Sequence, residues 1–298
     1  MRSGGLVNPV GHGRHSGRIG FLGLVLAYAV LVVVAVATLA ARGDLSMGRH
    51  PVANFARSVG EFSHPSFLDV WFGDPHLEYR SDDGKLLRVE DRRAAETTFL
   101  RQLRDAAWTT FLIGTLGSLV AAILALPLAL LAARNLRAPK ALALAAKGVL
   151  DACRAIHTLV FGLVLVGIVG LGPTAGILAI GLHSMGTLGK LYAESIETLD
   201  MQAVDAVRAV GASPAQVFFV AIWPAVLPQF VSNHLYVWEY NIRDSTILGL
   251  IGAGGLGLLI TEATSLFQWG RLATILIVVI AMVSMFDAIS RHIRSRLL

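Results

Sequence analysis

Ionisable and nucleophilic side chains stand inside the most apolar stretches of this 298-residue chain. Asp151, Arg154 and His157 fall three residues apart, His183 precedes Ser184, and Asn233, His234, Tyr236, Glu239, Asn241, Arg243 and Asp244 crowd one region. A serine near a histidine is the raw material of nucleophilic catalysis, and Leu182-His183-Ser184-Met185-Gly186 is one glycine short of the Gly-x-Ser-x-Gly elbow. No third orienting group has a compelling position, so no catalytic residue is assigned. Asp151 with Arg154, and Glu239 with Arg243, have the three- and four-residue separations at which helical side chains pair as ions. Guanidinium, imidazole and amide donors also suit an anion, so His183, Ser184, Asn233, Tyr236, Glu239, Asn241 and Arg243 are the candidate lining of a polar route. The single cysteine, Cys153, excludes an intrachain disulfide framework and a Cys-cluster metal site, and no metal ligands are assigned. Gly252-x-Gly254-x-x-Gly257 satisfies a dinucleotide fingerprint, but it lacks a βαβ context and an acidic residue about 20 positions on.

The elements that must carry these residues follow from composition. Apolar residues make up 55% of the chain and charged residues 15%, against about 45–50% and 25% in soluble domains. The mean hydropathy is +0.65. One soluble core cannot absorb that excess without large exposed patches, so the expected fold class is all-α and polytopic in a membrane. Apolar runs at 19–41, 106–133, 148–170, 174–189, 217–238 and 272–290 predict six transmembrane helices. The first, after a tail of residues 1–18, is long for a cleaved signal peptide and reads as a signal anchor; Ala35 and Ala37 keep cleavage as the alternative. Residues 42–105 have a soluble composition, with Pro51, Pro65, Pro75 and a charged run at 81–85, and predict an extracytoplasmic loop. Its end, 91–104, has the pattern of an amphipathic helix lying on the membrane surface. Residues 106–298 form a five-helix core.

The net charge of +5 is distributed in short flanks, not in a basic block, so it reports orientation and argues against nucleic acid. Arg2, Arg14, Arg18, Arg134, Arg137, Lys140, Lys190, Arg208, Arg291, Arg294 and Arg296 fall on one side, which puts both termini in the cytoplasm. Polar residues within spans then face protein or water. Gly114, Ser118 and Ala122 predict a close helix contact. The segment 245–260, broken by Gly249, Gly252, Gly254, Gly255 and Gly257, predicts a short helix and re-entrant turn at the outer mouth.

The loop between the fourth and fifth spans, within 190–216, has the most consistent local signals. Asp200 can cap a helix from Met201, with Ala203, Val204, Val207 and Val210 as its apolar stripe. Gly211 has the position of a left-handed C-terminal residue. Ser213, Pro214 and Gln216 then form a second start with a capping box. A short rigid surface helix results, of the kind that docks in a groove of a soluble partner.

Asp205-Ala206-Val207, three residues, Gly211, and then Trp223-Pro224 resemble the EAA motif of permease subunits of bacterial ABC importers. Asp205 replaces Glu, Val207 the second Ala, Ala221 the Ile and Trp223 the Leu. Glu239-x-Asn241-x-Arg243-x-Ser245-Thr246 before Gly252-Ala253-Gly254-Gly255-Leu256-Gly257, with Gly170-Leu171-Gly172-Pro173 and the His183–Lys190 segment upstream, is similar to the phosphonate importer permease. The resemblance covers about residues 106–298 and implies a type I ABC importer permease fold in a bacterial inner membrane. It implies that Val204, Asp205, Ala206, Val207, Arg208, Gly211 and Ala212 contact an ABC ATPase dimer. A second permease subunit, identical or paralogous, would complete the pore in the lipid, and an extracytoplasmic solute-binding protein would deliver phosphonate or a related phosphorus oxyanion. ATP and Mg would be bound by the ATPase, since this chain has no phosphate loop and no cofactor of its own is expected. Gly252, Gly254, Gly255 and Gly257 would form an outer gate turn. The alternatives are a permease for phosphite, phosphate or an amino acid, a secondary transporter without an ATPase, and, last, an intramembrane hydrolase using Ser184.

Overall fold

The computed structural model describes residues 14–44, 51–72, 76–80, 86–136 and 138–297. Arg2, Pro75, the charged run at 81–85 and Arg137 lie outside the described residues. The chain divides into two compact units, Met1–Arg57 and Ser58–Leu298. The first contains helix α1 (Arg14–Ala41), whose Gly23–Ala41 portion is long and apolar enough to cross a membrane. Helix α2 (Pro51–Phe62) begins there and ends in the second unit.

In the second unit a 3-10 turn at Ser66–Leu68 and helix α3 (Asp69–Phe72) lead into a hairpin of β1 (His76–Arg80) and β2 (Leu86–Asp91). The strands pair antiparallel with His76 opposite Asp91. This small sheet departs from the all-helical expectation; every other described regular element is helical. Asp91 caps α4 (Arg92–Ala132), its carboxylate accepting from the Ala94 amide at 3.2 Å. The expected surface helix at 91–104 and the span from 106 are therefore one 41-residue helix, about 60 Å long and twice the hydrocarbon thickness. No glycine or proline stands between Arg92 and Ile113, and the Asp105 carboxylate is engaged by the Arg104 side chain at 2.8 Å, so nothing interrupts the hydrogen-bond ladder between the charged and apolar halves. Arg271 ties the start of α4 to the last helix, donating to Glu96 at 2.8 and 3.1 Å while its guanidinium lies 5.0 Å from the Phe99 ring.

The expected span at 148–170 is broken. Helix α5 (Lys140–Ala155) and helix α6 (Thr158–Val169) meet at 92°. Ile156 is extended, and the His157 ring caps α6 by accepting from the Leu159 amide at 3.2 Å. Helix α7 (Pro173–Glu197) follows and occupies the centre. Then come α8 (Met201–Ala209), α9 (Pro214–Val217), a π-turn at Phe218–Ile222, and α10 (Trp223–Leu248). A second π-turn at Gly249–Ala253 leads into α11 (Leu256–Ser265) and α12 (Trp269–Leu297).

Among the described residues, four helices are long and apolar enough to span a membrane, or five if the bent α5–α6 pair counts as one. The run expected at 174–189 falls on α7, which is not among them. Its glycines, serines, His183 and Lys190 lower its apolarity, and its surroundings explain why that is tolerated. Ala179, Ile180, Leu188 and Ile196 are fully buried against α4, α5, α6 and α10, so α7 presents little surface that lipid would select. The expected Gly114-Ser118 stripe does make a close contact: a Cβ on Gly114 would lie 2.9 Å from the Ile242 α-carbon of α10. A second stripe on α4, Ala121, Ala125 and Ala129, is fully buried in the main core.

Candidate functional site

Helix α8 is fixed at both ends by its own sequence. The Asp200 carboxylate accepts from the Gln202 amide at 2.9 Å. Gly211 takes φ +83°, the left-handed conformation that reverses the chain. Ser213 and Gln216 exchange both capping-box bonds, with the Ser213 amide donating to Gln216 at 2.8 Å. One face is buried through Val204, 2% exposed, with Met201 and Val207 beside it in the core. Asn135, in the α4–α5 loop, ties the end of α7 to the start of α8, its amide nitrogen donating to the Ile196 carbonyl at 2.6 Å and to the Met201 sulfur at 3.4 Å. Glu197 accepts from the Arg134 amide at 2.8 Å.

The apolar stripe is narrower than periodicity suggests. Ala203 is exposed and Val210 is 84% exposed. The outward face therefore carries Ala203, Asp205, Ala206, Ala209 and Val210, with Asp205 accepting from Arg208 at 3.0 Å. Gly211 is exposed, and Ala212 is half-buried against the core.

The candidate polar-route residues separate into three groups. Asn241 is fully buried, accepting from Ser184 at 2.7 Å and donating to Ser118 at 2.8 Å, and Ser118 donates on to the Gly114 carbonyl at 2.7 Å. This chain ties α4, α7 and α10 together inside the core. Ser184 is 1% exposed, and the His183 ring instead meets the Ile156 carbonyl at 2.8 Å. The two have different partners, so the serine is a structural donor, not a nucleophile beside its base. Glu239 forms the second group, 3.7 Å from Arg243 and 3.6 Å from Arg294 of α12. Asn233 stands apart from both, its amide nitrogen donating to Ser195 of α7 at 3.0 Å and its oxygen accepting from Gln229 at 3.2 Å.

The third group lines a cleft of about 500 Å³ along α7: His183, Ser184 at its floor and Tyr236, joined by Arg154, Lys190 and Tyr240. From sequence Arg154 is a polar candidate whose favoured partner is Asp151, three residues away, and Lys190 reads as a charge of a cytoplasmic flank, so neither is placed on the polar route. The bend at Ile156 was the missing signal, for it brings the end of α5 against α7.

The glycine turn is a wedge between helices. Gly252, Gly254 and Gly255 have φ of +96°, +87° and +71°. Gly257 packs its α-carbon on Gly249 and the Thr246 carbonyl, leaving no room for a side chain. The Thr110 hydroxyl accepts from the Leu256 amide at 2.8 Å, and Ser245 donates to the Thr110 carbonyl at 3.0 Å, locking the turn onto α4. A turn between two helices, with its first free amide already satisfied by Thr110, is not a nucleotide cradle.

Residues 125–298 match the family described as "Binding-protein-dependent transport system inner membrane component". The chain is 42% identical over 194 residues to the phosphite transport system permease protein PtxC of Stutzerimonas stutzeri, covering 63% of this chain and 70% of the relative. It is 37% identical over 195 residues to the phosphate-import permease protein PhnE of Mycolicibacterium smegmatis, covering 65% of this chain and 37% of that one. Among solved structures, a chain of the inward-facing MetNI methionine ABC transporter superposes with a TM-score of 0.60 at 19% identity, covering 67% of this chain and 98% of that chain; this likeness is one of fold.

Proposed function

We propose that this chain, which belongs to the family of inner membrane components of binding-protein-dependent transport systems, is the permease subunit of an ATP-driven importer of phosphonate or a related phosphorus oxyanion such as phosphite. Permeases of this family are non-catalytic membrane subunits, and several apolar helices make this one a multi-pass membrane protein. The observation that carries the proposal is α8: capped at both ends and anchored by Val204, it offers an outward face of Ala203, Asp205, Ala206 and Val210 that the described chain does not cover. Such a helix moves as a rigid lever, passing a displacement of its partner into α7 and the π-turn before α10.

In the proposed complex two permease subunits, identical or paralogous, enclose the route. An ATPase dimer binds ATP and Mg and docks on the two α8 helices from the cytoplasm, where both termini also lie. An extracytoplasmic solute-binding protein presents the anion. Closure of the ATPase pair would rock the helices outward-open, and hydrolysis would reset them. The oxyanion preference is supported by the relatives named for phosphite and phosphate transport and by the cationic groups of the α7 cleft. The test is uptake of labelled methylphosphonate and phosphite into proteoliposomes holding this chain with its genomically neighbouring ATPase and binding protein. ATP-dependent uptake is expected only with all components; uptake that persists without the ATPase would make the chain a secondary transporter and overturn the proposal.

A further inference from the structure

The geometry points to an oxyanion-binding site in the α7 cleft, held by Arg154 and Lys190 and loaded by exchange of carboxylate partners. It deepens the importer proposal and rests on it for the class of anion.

Arg154 is delivered to the cleft by the broken helix. The chain turns 92° after α5, and α7 accepts the α5 backbone at Gly186, where a Cβ would lie 2.6 Å from the Arg154 nitrogen. The His183 contact to the Ile156 carbonyl, 2.8 Å, pins the same corner. The base of the arginine is therefore positioned, while its head stays half-exposed. Both Nε and Nη2 of Arg154 reach a single oxygen, Oδ1 of Asp151, at 2.8 Å. Lys190 lies 3.8 Å from Glu194, about two turns along α7 from His183. Exposure of the paired side chains is 41% and 60% for Arg154 and Asp151, and 45% and 55% for Lys190 and Glu194. Exposed pairs of this kind hold weakly.

A tetrahedral phosphorus oxyanion presents two or three charged oxygens to the arginine fork at once, and so can replace a carboxylate held through one oxygen. Tyr236 and Tyr240, one turn apart on α10, line the same cleft. Arg243 is committed elsewhere, to Glu239, whose side chain is only 15% exposed and is shared with Arg294. Competition from Asp151 and Glu194 keeps the anion's affinity modest, as a site that must also release its cargo requires.

The test is equilibrium binding of labelled phosphite and methylphosphonate to the permease–ATPase complex in nanodiscs, without binding protein. Arg154→Gln and Lys190→Gln should each weaken binding by about tenfold or more, the loss of a charge-assisted hydrogen bond, while Arg291→Gln, on α12, where the arginine pairs with Asp287 and does not line the cleft, should bind as the parent does. Asp151→Asn and Glu194→Gln should tighten binding by up to about fivefold, a gain that misfolding cannot produce. Parent-like binding by Arg154→Gln and Lys190→Gln, or no gain in either carboxylate variant, would overturn the site, as would a parent complex with no saturable binding. If the parent complex binds anion but ATP drives no uptake, the importer proposal fails and the site stands.

Discussion

Replacing Gly211 with valine isolates the lever from the rest of the fold. Gly211 has φ +83°, and a Cβ added there would meet nothing within 4 Å, so the cost is conformational and not steric. A β-branched residue held in the left-handed region costs about 1–3 kcal/mol. That is small against a folding free energy of about 5–15 kcal/mol, so Gly211→Val should insert and assemble. It is large for the local turn, where 1–3 kcal/mol is about a 5- to 150-fold shift away from the native reversal. At the turn itself the Gly211 to Arg208 backbone bond, 3.0 Å, and the neighbouring caps oppose it, while Val204 holds the body of α8 in the core. The orientation of α8 relative to α9 should therefore be lost in most molecules, and with it ATP-driven uptake, while ATPase activity becomes insensitive to the permease. Gly211→Asn, which tolerates the left-handed region, should retain most transport. Parent-level uptake by Gly211→Val in proteoliposomes would refute the lever; loss of the protein from the membrane would refute the claim that the position is sterically free.

Gly257→Ala should reduce the folded, monodisperse fraction in size-exclusion chromatography several-fold, because its Cβ would occupy the place of Gly249 and the Thr246 carbonyl. Gly167→Ala, within α6, where a Cβ would meet nothing within 4 Å, should lose far less. Ser184→Ala leaves the buried Asn241 oxygen without its donor and should cost about 1–3 kcal/mol, seen as a lower midpoint of thermal unfolding in detergent; an unchanged midpoint would mean that the Ser118–Asn241–Ser184 chain does not hold the core.

Some of this protein was legible in its sequence because it is decided by near neighbours. Asp200, Gly211, Ser213 and Gln216 act on backbone groups within three residues of themselves, so the frame of α8 could be written down residue by residue. The apolar runs likewise marked most of the long helices, since transfer from water to lipid is nearly additive along a chain. The Asp151–Arg154 and Glu239–Arg243 pairs follow from helical spacing alone. Periodicity failed where another element covers or abandons a face. Val210 continues the stripe of Val204 and Val207, yet no neighbour reaches it.

What only the tertiary structure decided is which distant polar groups meet. Ser118, Ser184 and Asn241 lie 57 to 123 residues apart and become one hydrogen-bonded chain, which moved Asn241 from a candidate route into the core and left Ser184 at the floor of the cleft. Arg154 looked settled by Asp151 until the 92° break and Gly186 brought it beside α7. The physical reason is the same in each case. A helix determines by itself where a side chain points around its own axis, but burial, pairing and desolvation are set by whatever packs against that side, and helix packing is a property of shapes brought together from far along the chain.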